Sequence, residues 1–214
     1  YNEGIAFCYT FKSMNDRDKV HIIRENTEFC FQDNHKTWVT YTAQGKYEEV
    51  RLSDVKDGCE RPLTISIDNG PYISIGEARL VDYSRMKLSH SLKGNYCLVS
   101  DLSGEVISNF PLVTPWRVIM IASTPGKLLE NNYLILNLND SCAIKDTSWI
   151  KPGKVLRDVT LTTTGGKACI DFASKHNLQY VIIGAGWYGN EYDDDSDATF
   201  VSVDPGRSEG PLNL

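Results

Sequence analysis

The sequence predicts a mostly β fold: an antiparallel β-sandwich followed by a shorter segment of alternating strand and helix. Three observations predict it. Short runs of alternating or β-branched residues recur between turn signals over the first two thirds of the chain. No convincing helix interrupts them. At Trp149 the pattern changes to a β-branched run, a Gly-Gly break, a short amphipathic helix and a fully apolar strand. The boundary divides residues 1–145 from residues 146–214.

The elements follow in order. Gly4 to Phe11 alternates Ile5, Phe7, Tyr9 and Phe11 against smaller residues, the period of a half-buried strand. Asn15 to Asp18 is a polar turn. Strands are expected around Val20–Ile23, Thr27–Phe31, Trp38–Thr42 and Leu63–Ile67, then at Tyr72–Val81, where Gly76 suits a bulge. Tyr96–Ser100, Trp116–Ala122 and Tyr133–Leu138 complete the series. Turn signals at Asp68-Asn69-Gly70-Pro71, Lys93-Gly94-Asn95, Ser103-Gly104 and Thr124-Pro125-Gly126 separate them. Beyond Trp149, Val155–Thr163 reads as a strand. A helix should then place Cys169, Phe172, Ala173 and His176 on one face, with Asn177 as its stop. Tyr180–Ile183 is apolar on both faces, as in a helix-covered parallel sheet. Gly184-Ala185-Gly186 ends that strand, and Trp187-Tyr188-Gly189 begins the loop at its C-terminal end, the catalytic face in α/β barrels.

Composition narrows the function. At 41% hydrophobic and 23% charged, the 214 residues can bury a core. The net charge of −6 argues against a nucleic-acid groove. No apolar run approaches the roughly 20 residues needed to span a bilayer, so neither nucleic acid nor membrane is an expected partner. Tyr1 opens the chain without an initiator Met or a signal-peptide apolar region, which reads as a processed, trimmed or partial chain. The six cysteines show no C-x-x-C pair, against a structural zinc site. Cys30 and Cys97 read as small buried hydrophobes, and a disulfide between some pair of the six stays open. G-x-S-x-G, the P-loop and the dinucleotide-binding glycine motif are all missing from the sequence.

Seven segments stand out in order along the chain: Y-N-E-G-I-A-F-C-Y from Tyr1, T-E-F-C-F from Thr27, G-E-A-R-L-V-D-Y from Gly76 and T-P-W-R-V-I-M-I-A from Thr114. S-W-I-K-P-G-K-V from Ser148, G-K-A-C-I-D-F-A from Gly166 and L-Q-Y-V-I-I-G-A-G-W-Y-G from Leu178 continue the order. Together they resemble glycoside hydrolase family 97, the bacterial α-glucosidase and α-galactosidase group. The resemblance implies a β-super-sandwich packed on a (β/α)8 barrel, Ca²⁺ dependence, a periplasmic or secreted setting and an α-linked mono- or oligosaccharide as ligand. A barrel takes roughly 250 residues, and 66 remain from Trp149 to Leu214. The expectation is therefore a sandwich plus the start of an incomplete barrel, inactive alone and completed by a missing C-terminal segment that carries the catalytic carboxylates. The rival reading is a non-catalytic carbohydrate-binding or interaction module. Two departures favour it: Gly184 stands where the resemblance suggests Asp, and Leu212-Asn213-Leu214 where it suggests L-D-L.

The candidate site residues are few. Trp187 could stack on a pyranose ring from a loop whose glycines allow close approach, and Tyr188 beside it shares the substrate-binding assignment. Glu48 in K-Y-E-E-V corresponds, by the resemblance, to a calcium-binding carboxylate, with Glu49 matching equally well. Asp193, Asp195 and Asp197 have D-x-D-x-D spacing, but Ala198 and Asp204 stand where an EF-hand has Gly and Glu, so a solvated acidic loop is expected. Trp116 should be buried, Arg117 is expected to meet a carboxylate across the domain boundary, and Glu77 to pair with Arg79 along its strand. Lys151 and the four histidines read as surface or satisfied side chains.

Overall fold

The computed structural model describes residues 2–12, 19–189, 193, 195–197 and 199. By internal contacts the chain divides into two units, Tyr1–Cys142 and Ala143–Leu214.

The first unit contains, in chain order, β1 (Gly4–Phe7), β2 (Thr10–Phe11), β3 (Lys19–Ile22), β4 (Glu28–Cys30), β5 (Lys36–Val39), β6 (Glu48–Arg51), β7 (Leu63–Ser66), β8 (Tyr72–Ala78), β9 (Met86–His90), β10 (Cys97–Leu102), β11 (Val106–Asn109), β12 (Leu112–Val113) and β13 (Trp116–Ala122). Two short helices, α1 (Pro125–Glu130) and α2 (Tyr133–Asn137), close it. A six-stranded antiparallel sheet has the order β1-β13-β8-β7-β5-β6, and a three-stranded one the order β4-β10-β9; β11–β3 and β12–β2 are two-stranded ribbons. The period of two in the sequence explains how the larger sheets pack. Val39, Leu63, Ile65 and Ile75 of the first share one buried cluster with Phe29, Met86, Leu88 and Leu98 of the second. This is the core of a sandwich, and each such aliphatic residue contributes about 1.5–3 kcal/mol by leaving water.

The opposite face of β8 and β13 presents Ala78, Val118, Met120 and Ala122, which α1 and α2 cover with Leu128, Leu134 and Leu138. The Tyr133–Leu138 run is therefore helical, not a strand. Leu134 and Leu138 stand four apart on one helix face and are buried, while Leu136 between them is 68% exposed. Periodicity cannot separate helix from strand in so short an apolar run. Gly76 forms no bulge either: β8 pairs with β13 residue for residue from Trp116↔Ala78 to Ala122↔Tyr72, Gly76 opposite Val118. Cys30 and Cys97 are not inert hydrophobes. They face each other in the β4–β10 register and form a disulfide.

The second unit holds β14 (Val155–Asp158), α3 (Thr163–Lys175) and β15 (Tyr180–Ile183), with β14 and β15 parallel. The strand expected to run to Thr163 stops at Asp158, whose Oδ1 accepts from Thr160 N (2.9 Å) and Oγ1 (2.8 Å) and turns the chain. Thr162 then caps α3, accepting from Gly165 N at 3.0 Å. Asn177, at φ +54°, ends the helix as expected. The buried face of α3 carries Gly166 and Ala173; Phe172 is half-exposed and lies against His176, centroids 4.1 Å apart. Tyr180 and Ile182 are 43% and 48% exposed, so β15 is not covered on both faces. No helix of the described residues is long and apolar enough to cross a membrane.

Candidate functional site

Two charges sit inside apolar strands of the sandwich, Glu77 in β8 and Arg117 in β13, directly opposed in register. Burying either alone would be costly, so each needs partners. Arg117 is fully buried and grips Glu25 with both arms, Nε to Oε1 at 2.8 Å and Nη2 to Oε2 at 2.5 Å. Its Nη1 donates to Glu77 Oε2 at 2.8 Å. From Glu77 the network continues to Arg61, whose Nε lies 2.5 Å from Oε1, and on to Glu60. Glu60 also meets Arg85 at 2.7 Å and Lys87 at 3.1 Å. Tyr83 and Thr27 donate to Glu25, and Met86 N to Glu77.

These contacts set the protonation states. Burial alone would raise the Glu25 carboxyl, but hydrogen bonds from Arg117, Thr27 and Tyr83, with the Arg117 charge, hold it below the usual carboxylate range. The same opposition holds Glu60 low, with Arg85 and Lys87 outweighing burial. Burial and the Glu25 charge push the Tyr83 phenol up to about 12. Glu25 and Glu60 are thus held as anions by Arg117, Arg85 and Lys87, and Glu77 lies between Arg61 and Arg117.

One end of this network forms the wall of a cavity of about 660 Å³. Arg61, Arg85, Glu60 and Glu77 line it together with Arg79 and the 40–47 loop that carries Tyr47. The volume and the mixture of apolar floor with convergent polar groups suit a small-molecule site. Sequence reasoning missed it. Arg117 was expected to reach across the domain boundary, yet both its carboxylate partners belong to the sandwich. Arg79 does not pair with Glu77: β8 ends at Ala78, Arg79 takes φ +54°, and its Nε turns to Asp140 at 3.0 Å. The available signal was a charge embedded in an apolar strand, which must be paired when buried.

The predicted site residues fall elsewhere. Trp187 and Tyr188 are half-buried after β15, their rings edge to face with centroids 5.1 Å apart. Gly186, at φ +78°, makes the turn before them. Glu48 is exposed in β6 opposite Val39, and Glu49 pairs with Lys36 at 2.9 Å. Among the described residues no group of three or more His, Cys, Asp or Glu could hold a metal. Glu48 offers one carboxylate where Ca²⁺ takes six to eight oxygens. Asp193 and Asp197 accept from Asp195 N and Thr199 N, each in a local turn. Ala198, Asp204 and Asn213 lie outside the described residues. Lys151 is exposed, and its carbonyl accepts from the Tyr180 hydroxyl.

Residues 1–141 match the family profile described as glycosyl-hydrolase 97 N-terminal. The chain belongs to glycoside hydrolase family 97. Its sandwich is thus the N-terminal domain of that family. Among the similar proteins is a retaining alpha-galactosidase from Bacteroides thetaiotaomicron, 25% identical over 242 residues, covering 89% of this chain and 36% of the relative. A family 97 enzyme from Pseudoalteromonas sp. strain K8, solved with acarbose, has TM-score 0.75 and 29% identity, covering 89% of this chain and 33% of that one. A variant of that enzyme solved with panose matches equally, at TM-score 0.75 and 29% identity over 89% of this chain and 33% of that one. The chain spans about a third of the length of these relatives.

Proposed function

We propose that this chain is the N-terminal part of a glycoside hydrolase acting on α-glycosidic bonds, α-galactosides or α-glucosides. The single observation that carries the reading is the family 97 match over residues 1–141, joined by a likeness to an alpha-galactosidase that runs over 89% of the chain. In this reading β14, α3 and β15 are the start of a (β/α)8 barrel. Their parallel pairing with a helical crossover supports that assignment. The catalytic carboxyl pair, a general acid with a nucleophile or base, then comes from later barrel strands of a longer protein. Trp187 and Tyr188, on the loop leaving β15, are one wall of the sugar site. Glu48 supplies one ligand to a calcium ion whose other ligands lie elsewhere in the whole enzyme. The Cys30–Cys97 disulfide supports a periplasmic or secreted setting, since such bonds persist outside the reducing cytosol.

A second reading, a non-catalytic carbohydrate-binding module, is favoured by Gly184, which leaves no carboxylate at the end of β15. Assay of the purified chain on aryl α-galactosides and α-glucosides tests the first. The expected result is no turnover by these residues alone, with turnover when the chain is extended by a family 97 barrel. Turnover without extension overturns the assignment of the carboxylates to later strands. Absence of turnover in the extended protein, with sugar binding retained, favours the module.

A further inference from the structure

The sandwich cavity carries a charge balance that a neutral sugar does not need. Three arginines line it, Arg61, Arg79 and Arg85, against two acids, Glu60 and Glu77. Outside the lining, Arg117 and Lys87 meet these acids while Glu25 and Asp140 meet Arg117 and Arg79, so the set keeps one more cation than anion. All four carboxylate oxygens are engaged. Glu77 Oε1 takes Arg61, Oε2 takes Arg117, and both take Met86 N; Glu60 Oε1 takes Lys87, and Oε2 takes Arg61 and Arg85. The arginines, by contrast, are under-used. A guanidinium has five N–H donors, yet Arg61 uses its Nε and Nη1, Arg85 its Nη1, and Arg79 its Nε. The cavity therefore offers spare guanidinium N–H donors on Arg61 and Arg85 and a formal excess of one positive charge.

We propose that this cavity binds the carboxylate of an acidic sugar, a hexuronic acid or a saccharide bearing one. The claim rests on the carbohydrate reading of the chain for the sugar ring and on the arginines for the acid. A planar carboxylate matches the fork of a guanidinium, and such charge-assisted pairs are about twice as strong as neutral ones. Tyr47, 60% exposed on the 40–47 loop at the rim, offers a ring face to the apolar side of a pyranose. Thr42, also in the lining, offers its hydroxyl to those of the sugar.

The test is titration of the 214-residue chain with galacturonic and glucuronic acids, with galactose and glucose, and with galactose 6-phosphate, by calorimetry and by NMR of the backbone amides. The uronic acids should bind at least about tenfold more tightly than the neutral sugars. Their affinity should fall with added salt, and the shifts should centre on the Thr40–Tyr47 segment and Arg85. Arg85→Ala should lose about tenfold in uronate affinity while leaving neutral-sugar affinity unchanged, because Arg61 and Lys87 still hold Glu60. Should Arg85→Ala fail to fold, Tyr47→Ala tests the same site from an exposed position and should weaken all the sugars alike. Equal affinity for acid and neutral sugars overturns the proposal and leaves the glycosidase reading standing. Tighter binding of the sugar phosphate overturns the carboxylate assignment. Absence of any binding overturns the cavity as a sugar site, while the glycosidase reading is decided separately by the hydrolysis assay.

Discussion

Arg117 and Glu25, separated by 92 residues of chain, form a two-armed ion pair with the guanidinium wholly removed from solvent. The pair is one end of a network that passes through Glu77 and Arg61 to Glu60, so a buried charge in β13 and a ligand-sized cavity share the same side chains.

Removing one partner should expose the cost. Arg117→Met leaves Glu25 and Glu77 buried without their main cation and should destabilise the sandwich by about 3–5 kcal/mol. Arg117→Lys should recover only part of this, because an ammonium cannot hold both Glu25 oxygens and Glu77 in one plane. Urea denaturation of the two variants measures both.

Acid should weaken the fold. The Glu25 carboxyl is held below its ordinary value of 4.5, with the Arg117, Thr27 and Tyr83 contacts overcoming burial. A depressed folded-state value means that the stabilisation is complete well above pH 4.5 and is lost as pH falls from there through the folded-state value. Glu60, also held low, adds to the same slope. The Tyr83 phenol, at about 12 against an ordinary 10, has the opposite sign: its contribution is full below pH 10 and is lost on rising towards 12. Thermal midpoints followed from pH 7 to pH 3 should drop, and Glu25→Gln should show a shallower acid slope from a lower starting value.

Gly184 leaves space beside Arg157. A Cβ placed there would lie 3.6 Å from Arg157 Nε and Nη2, an ordinary contact. Gly184→Asp should therefore be tolerated and form a surface ion pair of about 0.2–1 kcal/mol. A double-mutant cycle with Arg157→Ala measures it, and salt should erase it.

The disulfide should matter more than any single surface contact. Cys30→Ala, or reduction of the native chain, should cost about 2–5 kcal/mol. Denaturation with and without reductant measures the loss.

Much of this was legible in the residues. Alternation located most of the strands, and the change at Trp149 marked the passage from antiparallel strands to a parallel pair joined by a helix. What stayed hidden depends on pairing at long range. Nothing local in R-E-N-T around Glu25 reports that its carboxylate meets an arginine in β13, because the contact exists only once the two sheets face each other. The same holds for the cysteines: register alone selects Cys30 with Cys97. The helical turn at Leu134–Leu138 was masked by its brevity, and the strand after Val155 was overrun because Asp158 turns the chain with its own side chain. The cavity was missed for a related reason: its arginines come from the segment before β7, the residue after β8 and the residue before β9, with no motif to join them.

The Cys30–Cys97 bond also closes a covalent ring. Its 67-residue span contains β5 through β9 and the cavity-lining residues from Thr40 to Arg85. A single backbone cut in the 40–47 loop would open the ring without releasing either piece, so the two halves of that wall would stay tethered until the bond was reduced.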